Sequence, residues 1–216
     1  MPNEKTIHCR RSPFPSIDLM DDADIDHFVT ADHLLMVDGT EPPSTIDTQV
    51  GIEWNENGFI VCFRGRFNTL RLAPPVEPSP HQGKTYHLWE LSDVYEVFMG
   101  VDAARTLRYK EFQVSPDARW IDIDVDKNLG ISNHHWYSGL QCRSVVDQEM
   151  KIWSSVIELP WNCFGQHRRT EDHWNINLYR ATGAFHGDEL LAWSPTGTGP
   201  KCFHRPEHFG TIIFEP

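Results

Sequence analysis

The stretch TQVGIEW (48–54), NENG (55–58) and FIVCFRGRF (59–67) predicts a β-hairpin and decides the fold class. Phe59, Val61, Phe63 and Phe67 recur with the period of two that is typical of a strand with one buried face. The Asn and Gly residues between the two runs are the residue types that favour a tight turn. We therefore expect two antiparallel strands joined at residues 55–58.

Eight further stretches after the hairpin have the same character. Each is short, alternating or rich in β-branched residues, and each is bounded by Gly, Pro, Asn or Asp. They are DVYEVFMG (93–100), LRYKEFQVS (107–115), ARWIDIDVD (118–126), LQCRSVV (140–146), MKIWSSVIEL (150–159), HWNINLYRA (173–181), ELLAW (189–193) and FGTIIFE (209–215). About ten strands without helical periodicity predict an all-β protein with an antiparallel, jelly-roll-like β-sandwich over residues 46–216.

Residues 1–45 lack this pattern. Pro13 and Pro15 interrupt the start, an acidic patch occupies residues 21–24, and Pro42 and Pro43 end the segment. We expect an irregular N-terminal extension that wraps on the domain. The proline-rich stretch 72–82 is expected to form a long exposed loop.

The composition argues against some classes of function and favours another. The chain has 216 residues, the length of one domain, with 19 Lys and Arg against 31 Asp and Glu, so its formal net charge is −12. This charge is the wrong sign for binding nucleic acid. No run approaches the roughly 20 apolar residues that cross a bilayer, so no membrane partner is expected. Eight tryptophans favour ligand stacking.

The cysteines and the N-terminal sequence bear on compartment. Five cysteines without C-x-x-C spacing favour independent thiols, with one disulfide plus free thiols as the alternative. The opening MPNEKTIHCRR shows no signal peptide. We expect a cytoplasmic protein if the chain is complete, and an extracellular or periplasmic one if a leader was removed.

Two sets of residues could hold a metal. Asp122, Asp124 and Asp126 share one strand face, so a calcium site is conceivable, but a solvated strand face is the preferred interpretation because the run lacks the Gly and Glu of an EF-hand loop. His134 and His135 are adjacent and point to opposite sides of an extended chain, so zinc catalysis is disfavoured.

Glu96 and Glu111 lie on strands that are close in sequence, and two carboxylates can act as acid and base on a sugar. The commoner alternative is that Glu96 accepts hydrogen bonds from hydroxyls or from an arginine.

The aromatic residues give the stronger hypothesis. Trp89 precedes a strand at the end of the proline-rich loop, and Trp193 and Phe203 flank the irregular stretch SPTGTGPKC (194–202), so these rings can line a cleft or can cap the sandwich. Trp120, Trp153 and Trp174 are mid-strand and are expected in the core. Arg180 can present its guanidinium to sugar hydroxyls or pair with a carboxylate.

Several stretches in register resemble the family 9 carbohydrate-binding modules and similar free-standing proteins. They are LWELSDVYEVFM (88–99), RYKEFQVSPDARWID (108–122), IWSSVIELPW (152–161), WNINLYR (174–180), AWSP (192–195) and FHRPEHFGTIIF (203–214). The resemblance covers about residues 45–216. It implies a β-sandwich that clamps one pyranose between two aromatic rings while polar side chains contact its hydroxyls.

The resemblance assigns roles to particular residues. Trp89 corresponds to the first ring of the clamp and Glu96 to the carboxylate on the following strand. Phe203 and His204 stand where a second aromatic ring is expected, and either Gln113 or Lys110 supplies a further polar group. Structural calcium is known in the family; no cofactor is required for binding.

We therefore expect non-catalytic binding of a mono- or oligosaccharide, a sugar unit of a plant-type glycan. One alternative is a glycan-active enzyme that uses Glu96 and Glu111. Another is a haem-binding electron-transfer sandwich with Met99 or His135 as axial ligand. The sequence leaves the oligomeric state open.

Overall fold

The computed structural model describes residues 5–20, 32–75, 81–101, 107–165, 174–182, 189–199 and 202–215. Within these ranges the chain is all-β, as expected. The strands are β1 (Thr6–Arg11), β2 (Asp32–His33), β3 (Leu35–Met36), β4 (Thr48–Trp54), β5 (Gly58–Arg66), β6 (Val94–Gly100), β7 (Arg108–Val114), β8 (Trp120–Asp126), β9 (Ile131–Asn133), β10 (Gln141–Asp147), β11 (Ile152–Pro160), β12 (Trp174–Ala181), β13 (Leu190–Ala192) and β14 (Gly210–Phe214). One short α-helix, α1 (Leu88–Leu91), and 3-10 helices at Ile17–Leu19, Trp161–Phe164 and Pro206–His208 complete the described elements.

The predicted hairpin is confirmed. Strands β4 and β5 pair antiparallel, with Trp54 opposite Phe59. In the turn, the Asn55 side-chain oxygen accepts hydrogen bonds from the backbone N–H groups of Asn57 at 2.8 Å and Gly58 at 2.9 Å. Asn is favoured at such turns because its side chain satisfies neighbouring backbone donors.

The strands form one curled, mixed sheet with the order β10-β11-β5-β4-β1-β14-β12-β6-β7-β8-β9. Its two halves face each other as in a sandwich: Tyr95 of β6 stacks on Phe63 of β5 and Trp153 of β11, with ring centroids 4.6 and 3.7 Å apart. The expectation of a purely antiparallel sandwich is wrong in one respect. Strand β1 pairs in parallel with both β4 and β14 and so joins the halves into one sheet.

The N-terminal segment contributes strand β1 to the sheet. Residues 1–45 were expected to be irregular, yet Thr6–Arg11 lies in the middle of the strand order. The physical reason is that Ile7 and Cys9 are both buried in the core, at the period of two that a strand requires. Residues 1–4 and 21–31 lie outside the described ranges, as do residues 76–80 of the proline-rich loop.

Strand β6, in the β14-to-β9 half, has two buried faces. Tyr95, Val97 and Met99 of β6 belong to the inner core between the halves. Val94 and Phe98 point the other way, into a second apolar cluster that contains Leu88 of α1 and Cys202, Phe203 and Phe209 after β13. We call this second side the outer face. No helix in the described ranges has the length and apolar character of a membrane span.

Candidate functional site

The outer face carries a buried polar group on two neighbouring strands. Glu96 of β6 lies opposite Gln113 of β7, and Glu111 lies opposite Phe98 in the same antiparallel pair. Glu96 and Glu111 are each 4% exposed and Gln113 is 1% exposed. Because side chains on a strand alternate between faces, all three polar side chains share the outer face.

The polar group is incompletely satisfied within the protein. The Gln113 amide nitrogen Nε2 donates to Glu111 Oε1 at 2.7 Å. The other amide atom, Gln113 Oε1, is buried and accepts no hydrogen bond from the described residues. Nor does any described Lys or Arg form an ion pair with Glu96 or Glu111, although buried carboxylates usually have such a partner. The group therefore has capacity to bind hydroxyl and amide donors from outside the chain.

Both carboxyl groups hold their protons more tightly than usual. Burial, and then the charge of Glu111, raise the pKa of Glu96 well above 4.5. Burial raises the pKa of Glu111 to about 7, while the hydrogen bond from Gln113 acts in the opposite direction. Loss of water around a charge disfavours the ionised form, and two nearby like charges disfavour double ionisation. The pair thus changes its charge near neutral pH.

His204 and Tyr109 border the carboxylates. The Tyr109 hydroxyl and His204 Nδ1 share a hydrogen bond of 2.7 Å, and the same nitrogen lies 4.0 Å from Glu111 Oε2. The His204 side chain is 35% exposed, whereas that of Glu111 is 5% exposed. His204 therefore stands between the buried Glu111 and solvent.

Trp89 lies on α1, the short helix directly before β6. The helix starts after His87, whose backbone is left-handed with φ of 58°, and ends where the Ser92 N–H donates to the Leu88 carbonyl at 2.9 Å. The Trp89 ring is half-buried, packs against the outer-face cluster, and lies 5.8 Å from the His134 ring at 27°. The indole is thus held in place yet reachable from solvent.

Phe203 is one of the two residues that stand where a second ring is expected. It is 9% exposed and lies flat on Tyr179 of β12, with centroids 4.1 Å apart at 20°. The Tyr179 hydroxyl donates to the Phe203 carbonyl at 2.9 Å. Phe203 therefore packs against the sheet on the outer face, and His204, next in the chain, is the more exposed ring.

Lys110 and Gln113, which the sequence left as alternatives, lie on opposite faces of β7. Lys110 pairs with Asp124 at 2.7 Å, and its ammonium lies 4.4 Å from the centroid of the Trp136 ring. It lines a separate cavity of about 430 Å³ together with Asp124, Cys163 and Phe164. The structure thus groups Gln113, and not Lys110, with Glu96 and Glu111.

Arg180 and Trp193 are in the protein interior, and each is 0% exposed. The Arg180 Nη1 donates to the Ile46 carbonyl at 3.0 Å and to Thr48 Oγ1 at 2.7 Å. The Trp193 Nε1 donates to Asp32 Oδ2 at 2.6 Å. Because both side chains are enclosed, neither reaches a ligand on the surface in this conformation, contrary to the expectation from sequence.

The three aspartates that suggested calcium are each paired with a basic side chain. Asp122 pairs with Lys84, Asp124 with Lys110, and Asp126 with Arg108 at 3.1 Å. No group of three or more His, Cys, Asp or Glu in the described ranges is arranged to hold a metal ion. These basic side chains offset the electrostatic repulsion between the three aspartates. Without them, a bound cation would have to offset it.

The two residues considered as haem ligands are in different environments. Met99 is fully buried in the inner core. His135 is exposed and lies 3.2 Å from the Tyr86 hydroxyl on the surface.

Sequence reasoning missed Tyr109, His87 and His134 as neighbours of the site. Tyr109 has a usable signal, because it stands two residues before Glu111 and four before Gln113 and so shares their face. The contacts of Trp89 with His87 and His134 carry no local signal, since they join residues that are far apart or in a turn.

The sequence matches no family model and no curated protein. Solved structures do match. A candidate carbohydrate-binding protein from Bacteroides uniformis has a TM-score of 0.72 at 17% identity, with 98% of this chain and 100% of that chain covered.

Two structures of a family 9 carbohydrate-binding module from Caldicellulosiruptor kristjanssonii match as well. The complex with cellotriose has a TM-score of 0.61 at 10% identity and covers 98% of this chain and 94% of that one. The complex with glucose has a TM-score of 0.60 at 10% identity and covers 98% and 96%. The fold of this chain is therefore that of the family 9 carbohydrate-binding modules.

Proposed function

We propose that this protein binds a carbohydrate without catalysis, at the outer face between Trp89 and His204. The observation that carries the proposal is the buried group of Glu96, Glu111 and Gln113, in which Gln113 Oε1 accepts no hydrogen bond from the described residues and neither carboxylate pairs with a described Lys or Arg. The likeness in fold to modules solved with cellotriose and glucose supports it.

The chemistry of a sugar matches this group. A pyranose carries hydroxyls around its edge, and hydroxyl donors to ionised carboxylates form charge-assisted hydrogen bonds. The same sugar has apolar C–H faces, which pack on an indole such as Trp89. Ligand hydroxyls would donate to acceptor atoms that the described residues leave open, so binding would recover part of the cost of burying two carboxylates.

We infer that the ligand is a glucose-type unit of a plant-type glycan. A small, solvent-exposed site must overcome the ligand's loss of freedom, so we expect a Kd in the micromolar to millimolar range, roughly −4 to −8 kcal/mol.

Calorimetry and tryptophan fluorescence with glucose and cellobiose test the proposal. We expect measurable heat and a fluorescence change with the native chain, and the loss of both with Trp89→Ala. Trp161, a half-buried tryptophan in the 3-10 helix that follows β11, provides the control: Trp161→Phe should keep the heat of binding. No heat across a broad panel of soluble glycans would overturn the proposal.

A glycan-active enzyme is the second candidate, because the structure gives Glu96 and Glu111 a shared face and raised pKa values. An acid and a base on one sugar require carboxyl groups in different protonation states. Mass spectrometry of oligosaccharides incubated with the protein decides between the two. Turnover that Glu111→Gln abolishes would favour the enzyme, and unchanged oligosaccharides would favour binding alone.

A further inference from the structure

Two surface segments, one of which contains Trp89, contact each other through three pairs of aromatic rings. Each segment contributes one ring to each pair. One loop is the segment 81–89 before β6, and the other is the segment 134–137 after β9. The pairs are Trp89 with His134, Tyr86 with His135, and His81 with Tyr137. We call these six residues the ring row.

The rings in each pair are in contact. The centroid distances are 5.8 Å for Trp89 and His134, 5.5 Å for Tyr86 and His135, and 3.9 Å for His81 and Tyr137. The last pair is nearly parallel, at 9°. The Tyr86 hydroxyl and His135 Nδ1 also share a hydrogen bond of 3.2 Å.

A buried lysine fixes the two loops to each other beneath the row. The Lys84 ammonium pairs with Asp122 of β8 and donates to the Trp136 carbonyl in the second loop. The same ammonium lies 5.9 Å from the Tyr86 ring centroid and 5.7 Å from that of Trp120. The ring row is thus held in place before any ligand arrives, which reduces the entropy lost on binding.

The row is accessible and continuous with the proposed sugar site. Tyr137 is 50% exposed, His135 is exposed, and Tyr86, Trp89 and His134 are half-buried. Trp89 belongs both to the row and to the proposed site. The loop that carries His134, His135 and Tyr137 follows β9, the last strand in the order of the sheet.

We infer that the ring row extends the sugar site, so that the ligand is an oligosaccharide chain rather than a single sugar. This inference rests on the proposed function. Successive pyranose units present apolar faces to rings and hydroxyls to the imidazole and phenol edges. A single-stranded nucleic acid also stacks on rings, but the net charge of −12 opposes a polyphosphate.

Calorimetry with glucose, cellobiose and cellotetraose tests the inference. We expect cellotetraose to bind about tenfold more tightly than glucose. Tyr137→Ala, at the far end of the row, should remove most of that gain and leave glucose affinity within twofold. Tyr137→Phe keeps the ring and should keep the gain, so it controls for effects of the substitution on folding.

The outcomes separate the two proposals. The inference that the ring row extends the sugar site would be overturned if glucose and cellotetraose bind with equal affinity. It would also be overturned if Tyr137→Ala leaves the affinity for cellotetraose unchanged. In both cases binding of glucose would still support the proposed sugar site. An absence of binding to all three sugars would overturn the proposed function and the ring row together.

Discussion

Lys84 and Asp122 form an ion pair in which both side chains are completely shielded from solvent. Asp122 also accepts a hydrogen bond from the Ser138 backbone N–H at 2.5 Å, and the Lys84 ammonium donates to the Trp136 carbonyl. The pair therefore links three segments: the loop that leads to Trp89, strand β8, and the loop after β9.

Lys84→Met should lower the free energy of unfolding by about 3 to 5 kcal/mol. The substitution leaves the Asp122 carboxylate buried without its cation, and an unpaired buried charge is strongly destabilising. Urea denaturation measures the change. The matched control is Lys110→Met, whose ion pair with Asp124 is partly exposed on both sides and should cost about 1 kcal/mol or less. Equal losses for the two variants would contradict the role of the buried pair.

Glu111→Gln should stabilise the protein at pH 8 and have little effect at pH 4. The pKa of Glu111 is raised to about 7 in the folded state, so the folded state favours the protonated carboxyl. The stability that this proton provides is fully present below pH 4.5 and is lost as the pH rises through about 7. The neutral amide of Gln does not lose this stability at pH 8. We therefore expect Glu111→Gln to raise the free energy of unfolding at pH 8 by on the order of 1 to 3 kcal/mol.

Denaturation curves between pH 4 and pH 8 check this prediction. Glu56→Gln is the control, because the Glu56 side chain is 71% exposed and pairs with the exposed Arg11. A Glu111→Gln variant that is less stable at pH 8 than at pH 4, relative to the native chain, would contradict the assigned direction.

Gln113→Leu should weaken sugar binding by about fivefold or more, whereas Lys110→Leu should change it by less than twofold. The two residues are three positions apart on β7 and therefore lie on opposite faces, with Gln113 on the side of Glu111. Loss of a hydrogen bond to a buried polar group costs about 1 to 3 kcal/mol, which corresponds to this change in affinity. Calorimetry with glucose measures both affinities. A larger loss of affinity with Lys110→Leu than with Gln113→Leu would contradict the proposed site and would assign the sugar to the Lys110 cavity.

Gly65→Ala should destabilise the fold by about 1 to 3 kcal/mol. An added methyl group would lie 2.5 Å from Arg180 Nη1, 2.6 Å from Thr48 Oγ1 and 2.7 Å from the Tyr95 hydroxyl, all in the packed interior. Thermal unfolding measures the effect. At Gly130 an added methyl group meets nothing within 4 Å, so Gly130→Ala should cost only about 1 kcal/mol, from its positive φ. If Gly65→Ala leaves the thermal stability unchanged, the prediction is wrong and the interior around Gly65 relaxes to accommodate the methyl group.

Local periodicity predicted the parts of the fold and site that depend on one strand at a time. The hairpin at 48–67 follows from alternation and turn residues, and the shared face of Glu111 and Gln113 follows from their spacing of two. The rings of Trp120, Trp153 and Trp174, expected in the core, are buried.

The remaining features depend on partners distant in sequence. Trp193 is enclosed because Gly210 lets the backbone approach its ring: a methyl group there would lie 2.3 Å from Trp193 Cζ3. Arg180 is enclosed by the Ile46 carbonyl and Thr48. The parallel pairing of β1 likewise has no local signature, since the alternation of Ile7 and Cys9 does not reveal which strands lie beside it.

The placement of β1 has a consequence for how the protein acquires its structure. Strand β1 pairs with β14 over residues 6–9 and 211–214, and the hydrogen bond between the His8 and Glu215 side chains joins residues 207 positions apart. Contacts of such separation slow folding, because a long chain must be brought together before they form. The join between the two halves therefore closes late, and until then β14 and the Glu53–Trp54 end of β4 each expose an unpaired edge that can pair with strands of other chains.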